Sequence, residues 1–265
     1  MSSAQKTEQT AAHREVNEVV MRAMSVLTQP ERQCVASHRP LSIFITRLSE
    51  AAQTADPKAM RNVIQEMKRA RISPAQIAER YVPLVARGFG DAWLSDQCDF
   101  ATVTLASARL QSMLWQLEAD AIPKPWSGQG RPPFLVGVCE GAQHTLGACV
   151  LAGALRHRGA TVVLDLELTP HCLARHVLNQ QLCGVLLSAA RHDDLASLRE
   201  LVDVSHQKGR STPVVIGGSI LATAPDIQLQ TGADFVSQSV DEVLAFCDPL
   251  HVAQDDTFAL EKDVK

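Results

Sequence analysis

Aromatic residues are scarce, at 4% of the 265-residue chain, with seven Phe, three Trp and one Tyr. A core must then be built from Ala, Leu and Val, which favours close-packed helices and a parallel sheet over an aromatic-rich β-sandwich. No apolar run approaches the roughly 18 residues of a membrane-spanning helix. The N-terminus, MSSAQKTEQTAAHREVN, is polar and has no apolar core of a signal peptide. The seven cysteines (Cys34, Cys98, Cys139, Cys149, Cys172, Cys183 and Cys247) form no CxxC and no zinc-type spacing, and their number is odd. Reduced thiols in a cytoplasmic protein are the expectation. Basic charge is not in excess either. The net charge of −4 excludes a broadly basic nucleic-acid binder. The Gly-x-Gly-x-x-Gly dinucleotide fingerprint is absent as well.

What is present changes character along the chain. Residues 1–39 read as a mobile, polar segment with one amphipathic helix over about 13–28. Residues 40–120 read as consecutive helices over about 40–54, 57–71, 75–87 and 100–119. Asp56-Pro57 and Ser73-Pro74 are helix starts, each with a capping side chain and Pro at the first helical position. Gly88 and Gly90 punctuate the third helix, and 93–99 is a turn. Short connections make an antiparallel bundle the simplest arrangement. Residues 121–133 form a linker, because four Pro and two Gly fall within 122–133. Residues 134–250 then alternate apolar runs (134–138, 161–164, 184–187, 213–216, 233–236) with helical patterns (146–158, 171–180, 191–208, 222–230, 240–246). That rhythm implies an α/β fold. A five-stranded parallel, flavodoxin-like sheet of order 2-1-3-4-5 is expected, followed by a solvated tail over 251–265. Residues 1–120 carry 14 Lys/Arg against 13 Asp/Glu, and residues 121–265 carry 11 against 16. The acidic excess therefore belongs to the α/β half.

Ligands on such sheets sit at the carboxyl ends of the strands, near the switch point beside strands 1 and 3. Val138-Cys-Glu-Gly-Ala-Gln-His144-Thr-Leu-Gly147 follows strand 1 directly, which places His144 at that edge. An imidazole there can ligate a metal, while a loop His that bonds only the backbone is the commoner case. Ser188 ends strand 3, and Gly217-Gly218-Ser219 ends strand 4. Small residues at successive strand ends would open a slot between sheet and helices. Each of these features alone is weak. His171 and His176 are five apart and do not share a helical face.

Taken together, Ala142-Gln-His144-Thr-Leu-Gly147, Ser188 and Gly217-Gly218 resemble the cobalamin-binding domain, whose pattern is Asp-x-His-x-x-Gly, Ser and Gly-Gly. The helices ending in Gly88-Phe-Gly-Asp-Ala-Trp93 are similar to the helical module that caps the corrin. The resemblance implies that His144 is the lower axial ligand of cobalt. It implies that Gly147, Ser188, Gly217 and Gly218 accommodate the nucleotide tail, and that Trp93 covers the upper face. On the residues alone, a Trp plugging the bundle core is an equal reading. Where methyl-transferring members carry Asp, this chain has Ala142. Where CarH-type light sensors carry upper-face His and Glu-His residues, it has Leu94, Val103 and Thr104.

A cobalamin domain with a helical cap, and with no winged helix and no catalytic partner domain, is most similar to the AerR/PpaA antirepressors of photosynthesis genes. The resemblance implies a cofactor, cobalamin in its hydroxo or adenosyl form. It implies a partner, a separate DNA-binding repressor of the CrtJ/PpsR type. No sequence-specific DNA binding, no membrane contact and no enzymatic activity of its own are expected. A corrinoid protein of a methyltransferase system is the alternative reading, and so is a haem sensor on the same fold. The upper axial position has two candidates from the N-terminal segment, His13 and His38, since no His occurs from 39 to 143. Water or hydroxide in that position is the plainer expectation.

Overall fold

The computed structural model describes residues 40–119, 131–191, 193–209 and 212–247. The helix over 13–28, most of the linker and the tail lie outside the described residues, as do His13 and His38. Within the described residues, α1 (Ser42–Gln53) and α2 (Pro57–Arg69) are joined by a turn that ends on the Asp56 cap. The Asp56 carboxylate accepts from Lys58 N–H at 2.9 Å. Ser73 and Gln76 form a reciprocal capping box that starts α3 (Pro74–Gln76). This helix widens into a π-helical segment (Ile77–Tyr81) and continues as α4 (Val82–Leu94). The single tyrosine of the chain, Tyr81, is buried in the π segment, and its hydroxyl accepts from Leu41 N–H at 3.1 Å. α5 (Phe100–Ala119) follows, opened by Asp99, whose carboxylate accepts from Thr102 N–H at 2.7 Å. The helices share one core around Leu48, Met67, Ile77, Val82, Leu110 and Met113.

The third helical stretch runs to Leu94, past the break expected at Gly88 and Gly90. Neither glycine is required by packing, since a side chain at either would meet open space. A mid-helix glycine costs about 1 kcal/mol, too little to end a helix that buries Val85 and Phe89.

The second half alternates strand and helix: β1 (Phe134–Cys139), α6 (Leu146–His157), β2 (Val162–Leu168), α7 (Pro170–Asn179), β3 (Gly184–Ser188) and α8 (Leu195–Lys208). β4 (Val214–Gly217), a 3-10 turn (Ser219–Ala222), α9 (Ile227–Thr231), β5 (Phe235–Val236) and α10 (Val240–Cys247) complete it. The sheet is parallel throughout, in the order β2-β1-β3-β4-β5. β1, β3 and β4 are apolar on both faces because both are covered. α6 and α10 pack on one face with Phe134, Val136, Leu186 and Val215, whereas α7, α8 and α9 pack on the other with Leu135, Val185, Leu187 and Ile216. The single helix expected over 222–230 is split at Pro225, which disfavours helical geometry in the residue before it. β2 is longer than expected because its second half alternates apolar with Asp165 and Glu167, as an edge strand can.

The two halves meet along α6 and β2. Cys149 is buried in the helical core, and Leu146, Val150, Leu164 and Leu166 pack against that core from the sheet side. A charged clasp closes the far end of α6. The Arg158 guanidinium makes two hydrogen bonds to the Glu79 carboxylate (2.9 and 3.1 Å) and one to Asp241 (2.8 Å). Burial works against the charge of Arg158. The two carboxylates outweigh it and hold the pKa above the usual guanidinium value.

The partners of Arg158 should contribute unequally. Glu79 is 12% exposed and bidentate, so Glu79→Ala is expected to lower stability by about 1–3 kcal/mol in urea unfolding. Asp241 is 79% exposed, and Asp241→Ala should cost under about 0.5 kcal/mol. Equal losses would show that the clasp does not depend on the buried carboxylate.

Candidate functional site

The carboxyl edge of the sheet at the β1/β3 switch point is built from loops that fold tightly on themselves. After β1, the Cys139 carbonyl accepts from Ala142 N–H at 3.1 Å, closing a turn through Gly141 at φ +77°. Glu140 N–H donates to the Leu168 carbonyl at 3.3 Å, which ties the turn to the end of β2. Gln143 donates from its side chain to the Gly141 carbonyl at 3.1 Å. His144 follows, exposed, directly before α6. Gly147, in the first turn of α6, faces Ser188, and a Cβ at 147 would stand 3.2 Å from the Ser188 hydroxyl oxygen. Ser188 is 9% exposed and closes β3 in register with Gly217, the last residue of β4. His144, Gly147, Ser188 and Gly217 are thus brought to one edge of the sheet.

Gly217 and Gly218 stand directly against neighbouring backbone. A Cβ at 217 would stand 2.7 Å from the Ser237 carbonyl, and one at 218 would overlap the Ala189 carbonyl. Gly218 also sits at φ +105°, which side chains rarely adopt. These glycines therefore let the loops after β3, β4 and β5 approach one another. Gln238 seals the arrangement by donating to the Gly218 carbonyl at 2.9 Å.

Trp93 is 48% exposed near the end of α4 and packs against Phe100, with ring centroids 6.4 Å apart and planes tilted by 60°. It is not a core plug. The hydrogen-bonding reach from the helical module to the neighbourhood of His144 comes instead from Gln111 of α5. Its amide donates to the Cys149 sulfur at 3.3 Å, and its carbonyl oxygen lies 3.5 Å from the Thr145 hydroxyl. Gln111 gave no signal in the sequence beyond being a polar residue on a mostly apolar helix. Ser237 was also missed. Its hydroxyl donates to Glu242 at 2.5 Å and accepts from Ser239 N–H at 2.9 Å, fixing the loop after β5.

Asp194 caps α8, accepting from Ala196 and Ser197 N–H at 3.2 Å each. Asp193 accepts from Ala190 N–H at 2.6 Å. Cys139 lies within reach of both carboxylates. Burial pushes its thiol up to about 11, and the charges of Asp193 and Asp194 add to the shift.

Chemically, the arrangement offers one exposed imidazole on a short loop, beside a helix start without a side chain at 147. Among the described residues, no group of three or more His, Cys, Asp or Glu comes together to hold a metal ion. An exposed imidazole so placed could ligate a metal through one ring nitrogen. The bare Gly147 surface beside it leaves room for part of a bound group.

Cys139 should be inert near neutral pH, because only about one thiol in a thousand is ionised at pH 8 when the pKa is about 11. Its labelling by iodoacetamide, followed by mass spectrometry, is expected to rise about tenfold per pH unit between pH 8 and 10. A pH-independent rate would contradict the assigned protonation state.

Residues 132–245 match the B12 binding domain family. Over 185 residues the chain is 31% identical to an uncharacterized 20.5 kDa protein in the bchF-crtJ intergenic region of Rhodobacter capsulatus, covering 69% of this chain and 96% of that one. Among solved structures, the monomethylamine corrinoid protein of Methanosarcina barkeri aligns with a TM-score of 0.59 at 14% identity, covering 76% of this chain and 95% of that one. At that identity the likeness is one of fold. A cobalamin-binding protein from Desulfitobacterium hafniense DCB-2 aligns over 77% of this chain and 97% of its own, at 18% identity and a TM-score of 0.40. The α/β half is thus a cobalamin-binding domain, and the chain belongs to the AerR-like family that includes the bchF-crtJ intergenic protein of Rhodobacter capsulatus.

Proposed function

We propose that this protein is a cobalamin-responsive transcriptional antirepressor that catalyses no reaction itself and acts through a separate DNA-binding repressor of the CrtJ/PpsR type at photosynthesis genes. The observation that carries the reading is the placement of His144, exposed at the switch point of a B12-binding domain and facing no competing protein ligand cluster among the described residues. His144 is the lower axial ligand in this reading. Gly147 and Ser188 border the nucleotide tail, while Gly217 and Gly218 set the backbone against which it lies. Trp93 and Phe100, exposed together on the helical module, cover the upper face. An alkylcobalamin bound there supplies a carbon–cobalt bond that light can break. Ala142 places no carboxylate two residues before His144, which favours a resident sensor over a redox-cycling methyl carrier. His13 or His38 is the protein's own candidate for the upper position, against water or hydroxide.

The reading is tested by binding, spectra and gel shifts. His144→Ala is expected to weaken cobalamin binding by at least about tenfold, and removal of residues 1–39 is expected to change the spectrum of the hydroxocobalamin-loaded protein only if His13 or His38 ligates. Unchanged affinity and spectrum in the His144 variant would remove it as the ligand. In gel-shift assays the protein alone should not bind promoter DNA specifically. With a CrtJ/PpsR-type repressor present, the cobalamin-loaded form should change the repressor's occupancy, and the cofactor-free form should not. Specific DNA binding without a partner, or methyl transfer from a donor protein to the bound cofactor, would sink the antirepressor reading. An intense Soret band in the purified protein would replace cobalamin with haem.

A further inference from the structure

The strand pairing beside the His144 loop is irregular. β1 and β2 run in register to Gly137 opposite Asp165, and then slip so that Cys139 stands opposite Leu168. Leu166 and Glu167 therefore share the space opposite the single residue Val138, which is a β-bulge. Such bulges re-aim side chains at the ends of strands. Two features hold this one in place. The Asp165 carboxylate accepts from Glu167 N–H at 3.1 Å, within the bulged segment. Gly137 is bare, and Leu168 fills the space where its Cβ would stand.

The side chain re-aimed by the bulge is Glu167. Its carboxylate accepts from Gly141 N–H at 3.2 Å, across 26 residues of sequence. Gly141 is the left-handed corner of the loop that carries His144. Ala142 is apolar and packs against the core beneath α6, and the side chain of Gln143 is engaged with the Gly141 carbonyl.

We infer that Glu167 is a positioning residue for cofactor binding: its carboxylate latches the Gly141 corner and so holds His144 where a metal can be ligated. The inference rests on the cobalamin reading of His144. It adds a residue on a different strand, acting through the backbone of the loop rather than on the metal. A latch of this kind lowers the entropic cost of fixing a ligand-bearing loop on binding. It needs an acceptor oxygen at 167, so glutamine should replace glutamate and alanine should not.

The experiment uses the full chain with Glu167→Ala and Glu167→Gln, with circular dichroism confirming that each folds. In the cofactor-free protein, amide hydrogen exchange at Gly141 should become faster in E167A and stay near the wild-type rate in E167Q. On titration with hydroxocobalamin, E167A should bind about three- to tenfold more weakly, the loss of one exposed charge-assisted hydrogen bond, and E167Q within about twofold of wild type. Unchanged Gly141 exchange in E167A, or faster exchange with unchanged affinity, overturns the positioning role. Equal weakening in E167A and E167Q shows that the negative charge acts directly and overturns the latch. A wild-type protein that takes up no corrinoid overturns the cobalamin reading and with it the role given to Glu167. The exchange rates are read without cofactor, so that outcome stays distinct from failure of the latch itself.

Discussion

Helix α6 is packed on two sides at once, against the sheet through Ala148, Ala152 and Leu155 and against the helical module through Leu146, Cys149 and Val150. Its sequence, LGACVLAGALRH, suits that double duty. Ala148 and Ala152 let the sheet approach closely, while Leu146 and Val150 reach the helical module. The first turn of the same helix carries Gly147 against Ser188, and its far end carries the Arg158 clasp to Glu79. A displacement of α6 would therefore shift the His144 loop and the helical module together. That shared helix ties the sheet edge to the helical module, and Gln111 contacts it at the Thr145–Cys149 turn.

The loop that bears His144 is held mainly by backbone geometry. Gly141 makes the corner, the Leu168 carbonyl receives Glu140 N–H, and the β1/β2 bulge brings Glu167 within reach. None of these contacts involves the imidazole, which stays exposed. The loop is thus organised around His144 without engaging it, which suits the ligand role proposed for the imidazole.

Much of this architecture could be read from residue patterns. The strand order followed from five apolar runs separated by helical segments, and the Asp56 and Ser73 caps are where the pattern placed them. Those signals are local, and local rules decide them. The misreadings have a different origin. α4 ignores Gly88 and Gly90 because the burial of Phe89 outweighs glycine's modest penalty. The close approaches at Gly217 and Gly218 depend on the Ala189 and Ser237 carbonyls, which no local pattern places. Gln111 and Glu167 act through partners 38 and 26 residues away, a pairing that no periodicity encodes.

The central claim, that His144 supplies the metal ligand of a cobalamin bound at this edge, is tested most directly by electron paramagnetic resonance. The protein is loaded with cobalamin, reduced to the cobalt(II) form, and compared with the same protein labelled with ¹⁵N-histidine. The account predicts that the threefold splitting from one axial nitrogen becomes twofold on labelling, and that His144→Ala abolishes this sensitivity to the label. A splitting that stays threefold in the labelled wild-type protein would mean that the cofactor keeps its own base, and would contradict the assignment.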